Sequence, residues 1–334
     1  MLMIREPATA VYDPLQSERM QIVAGDIGGT KTLLRRVVTE GSDRKTVAEE
    51  RFVSAAYATF EDMLAAFIAQ HPGAIDAACF AVAGPVLDGH AEITNLTWDI
   101  SASGLERRFS IEKLSLINDF YAVALGVPLL GAADLQSLQH ATRVPFAPIA
   151  ILGAGTGLGE ANLVHDGSKW NVVPSEGGHA DFAPQNDVQA ELYLSLHKKY
   201  GHVSWERVLS GMGLVNIHNF LTGQDRDYDD KIPAELAALA TSGDDAARRT
   251  FEIFVDIYGA EAGNMALRVL ARGGVFLAGG VAARNVDRFT DGRFASAFVR
   301  KGRFEPVLRE IPVDLITNSK VGLIGAVEMA ARLL

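Results

Sequence analysis

The chain runs to 334 residues, 48% of them hydrophobic and 22% charged, with a formal net charge of -10; this is the balance of a globular protein with core enough for two lobes. The acidic excess argues against nucleic-acid binding, and without a run of about 18 apolar residues no membrane-spanning helix is expected. A single cysteine, Cys79, excludes an internal disulfide framework and a four-cysteine zinc site, and suits a reducing, cytoplasmic setting.

Residues 1–20 carry Arg5, Glu6, Asp13, Glu18 and Arg19 among Pro7 and Pro14, lack the apolar stretch of a signal peptide, and read as an N-terminal extension. Gln21 to Gly25 and Leu33 to Val38 are apolar runs around Asp26-Ile27-Gly28-Gly29-Thr30, which predicts a β-hairpin. Glycines let backbone N–H groups converge on an anion, and Asp26 is placed to hold Mg²⁺ directly or through water. A tight hairpin with no ligand has the same sequence. Glu61 to Gln70 has helical spacing, stopped by His71-Pro72-Gly73. Ala77 to Ala83 is a buried strand closed by Gly84-Pro85, and Ile93 to Trp98 a strand or strand-edge loop.

The apolar run Lys113 to Ile117 ends in Asn118-Asp119, and helix-like sequence follows from Phe120 to Leu125. A carboxylate at the C-terminal edge of a strand, facing the crevice of an α/β sheet, suits a general base; an Asp there also caps a helix. Gly126 to Pro148 reads as a connector. The earlier pattern then restarts, with an apolar run at Ile149–Leu152, a turn of four alternate glycines at Gly153–Gly159, and a strand from Glu160 to Val164. Two related lobes, each opening with a glycine-rich hairpin, are therefore expected, and the alternate glycines point to a close backbone approach. Neither a Gly-Lys-Ser/Thr loop nor the G-x-G-x-x-G spacing occurs.

In Pro174-Ser175-Glu176-Gly177-Gly178-His179, a Glu and a His three apart can meet one polyhydroxylated ligand, although a solvated surface loop fits equally. Ser204 reads as the N-cap of a helix over Trp205–Leu209, with Glu206 in its first turn as the helix dipole favours. Further helices are expected at Val188–Tyr200, Pro233–Thr241 and Asp244–Arg268. The strand Val275–Ala278 ends in Gly279-Gly280, bare backbone that could admit an adenine or set a helix start beside a phosphate, or simply turn. A strand at Ile311–Leu315 and a helix at Val321–Leu334 close the chain.

Taken together, seven segments resemble the bacterial glucokinases of the hexokinase/actin-like superfamily, along nearly the whole chain from about Gln21. They are Gly25 to Thr30, Thr94 to Trp98, Leu116 to Phe120, Gly153 to Gly159, Ser175 to Pro184, His202 to Gly211 and Gly274 to Gly280. The resemblance implies a two-lobed actin/hexokinase-like (ribonuclease H-like) α/β fold, with mixed sheets flanked by helices and an active-site cleft between the lobes. Residues 21–129 plus 316–334 would form the small domain and 130–315 the large one. It implies ATP-dependent phosphorylation of the glucose 6-hydroxyl, with Asp119 taking the proton and Asn118, Glu176, His179 and Glu206 binding the sugar. Gly25, Asp26, Ile27, Gly28, Gly29, Thr30, Gly155, Thr156, Gly157, Gly279 and Gly280 would hold the nucleotide, Asp26 would position Mg²⁺, and the enzyme would be a homodimer. One cysteine cannot supply the zinc loop of the related repressor–ORF–kinase enzymes, which points to the zinc-free group. Lys31 stands where many of that group carry Asn, and its role stays open between phosphate and solvent. A kinase for N-acetylglucosamine or fructose shares the same chemistry. A sugar-sensing regulator would need a DNA-binding domain, for which some 20 residues before Gln21 are too few. An actin-type or heat-shock-type ATPase would not need Asp119 together with Glu176, His179 and Glu206.

Overall fold

A computed structural model describes residues 19–41, 43–93 and 96–334. Thr94 and Asn95, which belong to one of the resembling segments, and the extension up to Glu18 lie outside the described residues. The apolar runs settle into two mixed sheets. The first draws on β1 (Met20–Ile27), β2 (Lys31–Glu40), β3 (Asp43–Val53), β4 (Ala77–Val82) and, after a separate small hairpin of β5 (His90–Glu92) and β6 (Asp99–Ser101), on β7 (Leu114–Asn118). Its order is β3-β2-β1-β4-β7: an antiparallel meander followed by two parallel strands. The second uses β8 (Leu135–Gln139), β9 (Ile149–Ala154), β10 (Leu158–His165), β11 (Trp170–Ser175), β12 (Gly274–Ala278) and β13 (Val313–Ile316) in the order β11-β10-β9-β12-β13-β8. The same meander-plus-parallel plan occurs there, with β8 added antiparallel at the far edge. The strands β4, β9, β12 and β13 are buried along their whole length, which is why β4, β9 and β12 read as unbroken apolar runs; in β13 only Asp314 interrupts the pattern.

The helices are α1 (Phe60–Gln70), α2 (Ala102–Phe109), α3 (Asp119–Gly126), α4 (Asp187–Tyr200), α5 (Gly211–Thr222), α6 (Ile232–Thr241), α7 (Asp245–Val269), α8 (Gly280–Ala283), α9 (Val286–Phe289), α10 (Arg293–Val299), α11 (Glu305–Arg309) and α12 (Val321–Ala331). Strand alternation sorts them. On the first sheet Val23, Ala78 and Phe80 meet Phe60, Met63, Leu64 and Phe67 of α1, each fully buried large side chain contributing roughly 1.5–3 kcal/mol. Ile22, Ala24, Cys79 and Ala81 face the other way, onto Leu323, Ala326 and Ala330 of α12. On the second sheet Ala150, Leu152 and Ala154 lie on Phe251, Phe254 and Tyr258 of α7, and Ile149, Ile151 and Phe276 meet Ala124 of α3 and Val321 of α12. Helices α3 and α12 therefore lie between the two sheets. They approach backbone to backbone: a Cβ on Gly126 would collide with the Val321 carbonyl, and one on Gly325 with the Ala122 carbonyl.

Of the two alternatives for Ile93–Trp98, the strand-edge loop fits the described residues, which lie between β5 and β6. Two expectations are corrected. The supposed connector contains β8, an edge strand too polar to be read as one. Trp205–Leu209 is a turn, because the Trp205 and Glu206 amides bond the carbonyls of Ala180 and Gly178 in the neighbouring loop. The helix there starts instead at α5, capped by Ser210, whose Oγ accepts the Gly213 N–H at 3.0 Å. Its glycines had hidden it from propensity. The strands β3 and β11 and the short helices α9, α10 and α11 were also not anticipated. Among the described residues no helix is long and apolar enough to cross a membrane.

Candidate active site

At the end of β7 the chain turns into α3, and Asn118 makes the turn. Its Oδ1 accepts the N–H groups of Phe120 and Tyr121 at 2.9 and 3.1 Å, so Asn118, not Asp119, is the N-cap. Its amide donates to the Gly84 carbonyl and to Asp119 Oδ1, each at 3.0 Å. Asp119 is the first residue of the helix and also accepts the Phe120 N–H at 2.8 Å. Desolvation is the largest influence on its carboxyl, which is pushed up to about 6; nearby Asp26 raises it further, and the Phe120 and Asn118 hydrogen bonds oppose the shift.

Asp119 lines a cleft of about 720 Å³. One wall is Ala83–Leu87, beyond β4, together with Asn118–Tyr121; the opposite wall is the second glycine turn with β10; Ser175, Glu176, His179, Glu206 and Gly279 complete it. The structure thus brings Asn118, Asp119, Gly155, Thr156, Gly157, Glu176, His179, Glu206 and Gly279 to one cavity. His179 lies 3.9 Å from both Glu176 and Glu206. The Glu176 and His179 side chains are 91% and 62% exposed, against 27% for Glu206, so this group is open to solvent on one flank.

The first hairpin, Gly28–Thr30, lies outside that lining but beside it, since Asp26 acts electrostatically on Asp119. Burial raises the Asp26 carboxyl and Lys31 opposes the rise. The hairpin is fixed from behind by Ser54, fully buried, whose Oγ donates to the Gly28 carbonyl at 2.7 Å. Gly25 is in mid-strand, where a Cβ would sit 2.8 Å from both Leu34 and Phe80; Ile27 is buried in the same sheet core. The amides of Gly28 and Gly155 are bonded within their own turns, to Lys31 and Gly157. Those of Gly29, Thr30, Thr156 and Gly157 have no acceptor among the described residues, which leaves two pairs of donors free for an anion. Gly279, with φ +88 and its Cα against the Ala154 backbone, has to be glycine; Gly280 starts α8 next to Arg284.

Sequence reasoning passed over Ser54 and Glu160. Ser54 gave no signal, being distant in sequence from everything it holds. Glu160 did: an acid between Gly159 and Ala161 at the start of a predicted strand. No group of three or more His, Cys, Asp or Glu is gathered as a metal cage among the described residues.

The glucokinase family model matches residues 23–333. The chain is 41% identical to the glucokinase of Nostoc sp. strain PCC 7120, over 93% of this chain and 99% of that protein. Among solved structures it is similar to a glucokinase from an Antarctic psychrotroph, with a TM-score of 0.84 and 31% identity over 93% of this chain and 99% of that one. A ROK-family glucokinase from Streptomyces griseus, solved with glucose and AMPPNP, shares the fold, with a TM-score of 0.61 and 20% identity over 94% of this chain and 100% of that one.

Proposed function

This chain belongs to the glucokinase family, and from that premise we propose how its cleft divides the work. The enzyme transfers the terminal phosphoryl group of ATP to D-glucose, giving glucose 6-phosphate. The observation that carries our assignment is the Asp119 carboxylate, set at the end of a parallel strand in the same cavity as Glu176, His179, Glu206 and the second glycine turn. Asp119 takes the proton of the 6-hydroxyl as that oxygen attacks. Its raised carboxyl makes it a stronger base than an ordinary aspartate, yet leaves it mostly ionised at neutral pH. Asn118 steadies it and meets the sugar beside it. Glu176, His179 and Glu206 bind the remaining hydroxyls.

Phosphoryl transfer asks mainly for positioning and charge stabilisation. The free amides of Gly29, Thr30, Thr156 and Gly157 supply donors from two sides, Gly25, Ile27, Gly28 and Gly155 shape the turns that present them, and Gly279-Gly280 leaves room for the adenosine. The donor set suits Mg²⁺: Asp26 is a single half-buried carboxylate, and Mg²⁺ prefers one or two carboxylates with water and substrate phosphates to an all-protein cage. When bound there, Mg²⁺ neutralises phosphate charge. We take residues 21–129 with 316–334 as the small lobe and 130–315 as the large one. Their closure covers the exposed flank at Glu176 and His179 and excludes water as a rival acceptor. We further assign the enzyme to the cytoplasm, as a homodimer.

The test is ADP release with Mg²⁺-ATP and, in parallel, glucose, fructose, mannose and N-acetylglucosamine. Release with glucose well above the rest is expected. A higher kcat/KM for another sugar would overturn the substrate, and no release with any would overturn the kinase.

A further inference from the structure

Glu160 is a buried acid that the reaction as assigned above does not use. It is 3% exposed, and neither carboxylate oxygen has a hydrogen-bond partner among the described residues. Above it is the loop carrying Glu176 and His179: a Cβ on Gly177 would collide with Glu160 Oε2. Beneath it is α7, where Glu261, fully buried, accepts hydrogen bonds from Asn264 and Arg268 at 2.7 and 2.8 Å. Arg268 stays 3.8 Å from Glu160, beyond hydrogen-bond reach.

The groups facing this position are few. From α7 come Glu261, Arg268 and the Tyr258 hydroxyl. Lys301 reaches the same cluster through Asn264 at 2.6 Å. The strand partners Leu152 and Ser175 bring no charge, and Glu176, His179 and Glu206 stand on the solvent side. An ionised Glu160 would be a buried charge without a hydrogen bond, next to a second carboxylate. A proton on Glu160 resolves this, because the two cations of the cluster are spent elsewhere, Arg268 on Glu261 and Lys301 on Asn264, and neither bonds Glu160. Burial and then Glu261 push the Glu160 carboxyl up to about 7, with Arg268 opposing.

We propose that Glu160 is a positioning residue for the sugar loop: as a neutral acid it fills the space under Gly177 and keeps residues 175–179 in sugar-binding geometry, and ionisation distorts them. Besides Arg268 at 3.8 Å, an ionised Glu160 could recruit the Gly177 amide, which now donates to the Ser175 hydroxyl oxygen at 2.9 Å. Taking that amide breaks the turn that presents Glu176 and His179. The inference rests on the reading of those two residues as sugar ligands.

Glucose affinity is measured from pH 6 to 9 on the intact enzyme, by tryptophan fluorescence and as KM, for the wild type and for Glu160→Gln, which is neutral at every pH. The wild-type constant should rise roughly tenfold between pH 7 and 8.5 as the competent fraction falls, and that of Glu160→Gln should stay level. A variant with the wild-type profile would overturn the proposal. Should Glu160→Gln fail to fold, Gly177→Ala replaces it: glucose binding weakened with the ATP KM unchanged supports the proposal, and unchanged glucose binding overturns it. Glu176→Gln and His179→Gln separate the two levels. If neither weakens glucose binding, the sugar-ligand reading is wrong; if both do and the Glu160 profile is unaltered, only the role of Glu160 is wrong.

Discussion

Glu206 Oε2 accepts the backbone N–H of Leu158 at 2.9 Å, while Oε1 of the same carboxylate lies 3.9 Å from His179. One side chain thus joins the Glu176–His179 side of the cleft to the second glycine turn, where a Cβ on Gly157 would sit 2.5 Å from it. Glu206→Ala should therefore raise the KM for ATP as well as for glucose, each roughly 10–100-fold, the scale of a lost hydrogen bond to a charged group. Glu176→Ala, which removes no hydrogen bond to the second glycine turn, should raise only the glucose KM. Steady-state kinetics with each substrate varied in turn decides it; an ATP KM unchanged in Glu206→Ala would separate the two halves of the site.

Asp119→Asn should lower kcat by at least ~10²-fold, the scale of a lost general base, with glucose binding retained. Its stability should move the other way. The folded carboxyl is raised from 3.8 to about 6, so its contribution is fully present below about pH 4 and lost as pH rises through 6. The neutral variant should melt higher than wild type at pH 8, the gap narrowing below pH 6. A lower melting temperature at pH 8 would show that the carboxylate is a structural support.

With Asp119 as the proposed base, the same shift should set the acid limb of activity. The base has to be ionised, so kcat/KM for glucose should fall about tenfold per pH unit below about 6. Rates from pH 5 to 8, checked for intact protein at each point, should show this limb in the wild type and not in the residual activity of Asp119→Asn. A wild-type profile level down to pH 5 would exclude Asp119 as the titrating base.

Much of this was legible because its signals are local. The two hairpins, the strand ending in Asn118-Asp119 and the strand ending in Gly279 announce themselves by an apolar run broken by turn residues. What stayed hidden was fixed at a distance. Ser54 meets Gly28 only because β3 folds back onto β2. The Trp205 and Glu206 amides are claimed by the 178–180 loop, so local helix signals lost to a tertiary pairing. The Asn118-Asp119 pair held both outcomes in the sequence, a cap and an acid in the cleft, and the structure gives one residue to each. The alternate glycines were read as one device for a ligand and prove to be several.

That division can be tested. A Cβ on Gly153 or Gly159 would run into the Phe120 ring, whereas one on Gly155 meets nothing within 4 Å. Gly153 and Gly159 therefore serve the seating of α3 on the second sheet, and with it the position of Asp119. Gly153→Ala and Gly159→Ala should each destabilise by about 1–3 kcal/mol, the cost of overpacking. Phe120→Leu should recover part of that loss in the double variants, since residues in contact couple by roughly 0.5–3 kcal/mol. Gly155→Ala should keep the wild-type melting temperature and raise the KM for ATP, because its new methyl group meets no atom within 4 Å and Gly155 lines the cleft. Thermal melts read beside ATP kinetics distinguish the two kinds. A destabilised Gly155→Ala, or Gly153→Ala and Gly159→Ala variants that melt normally and lose only ATP affinity, would reverse the assignment.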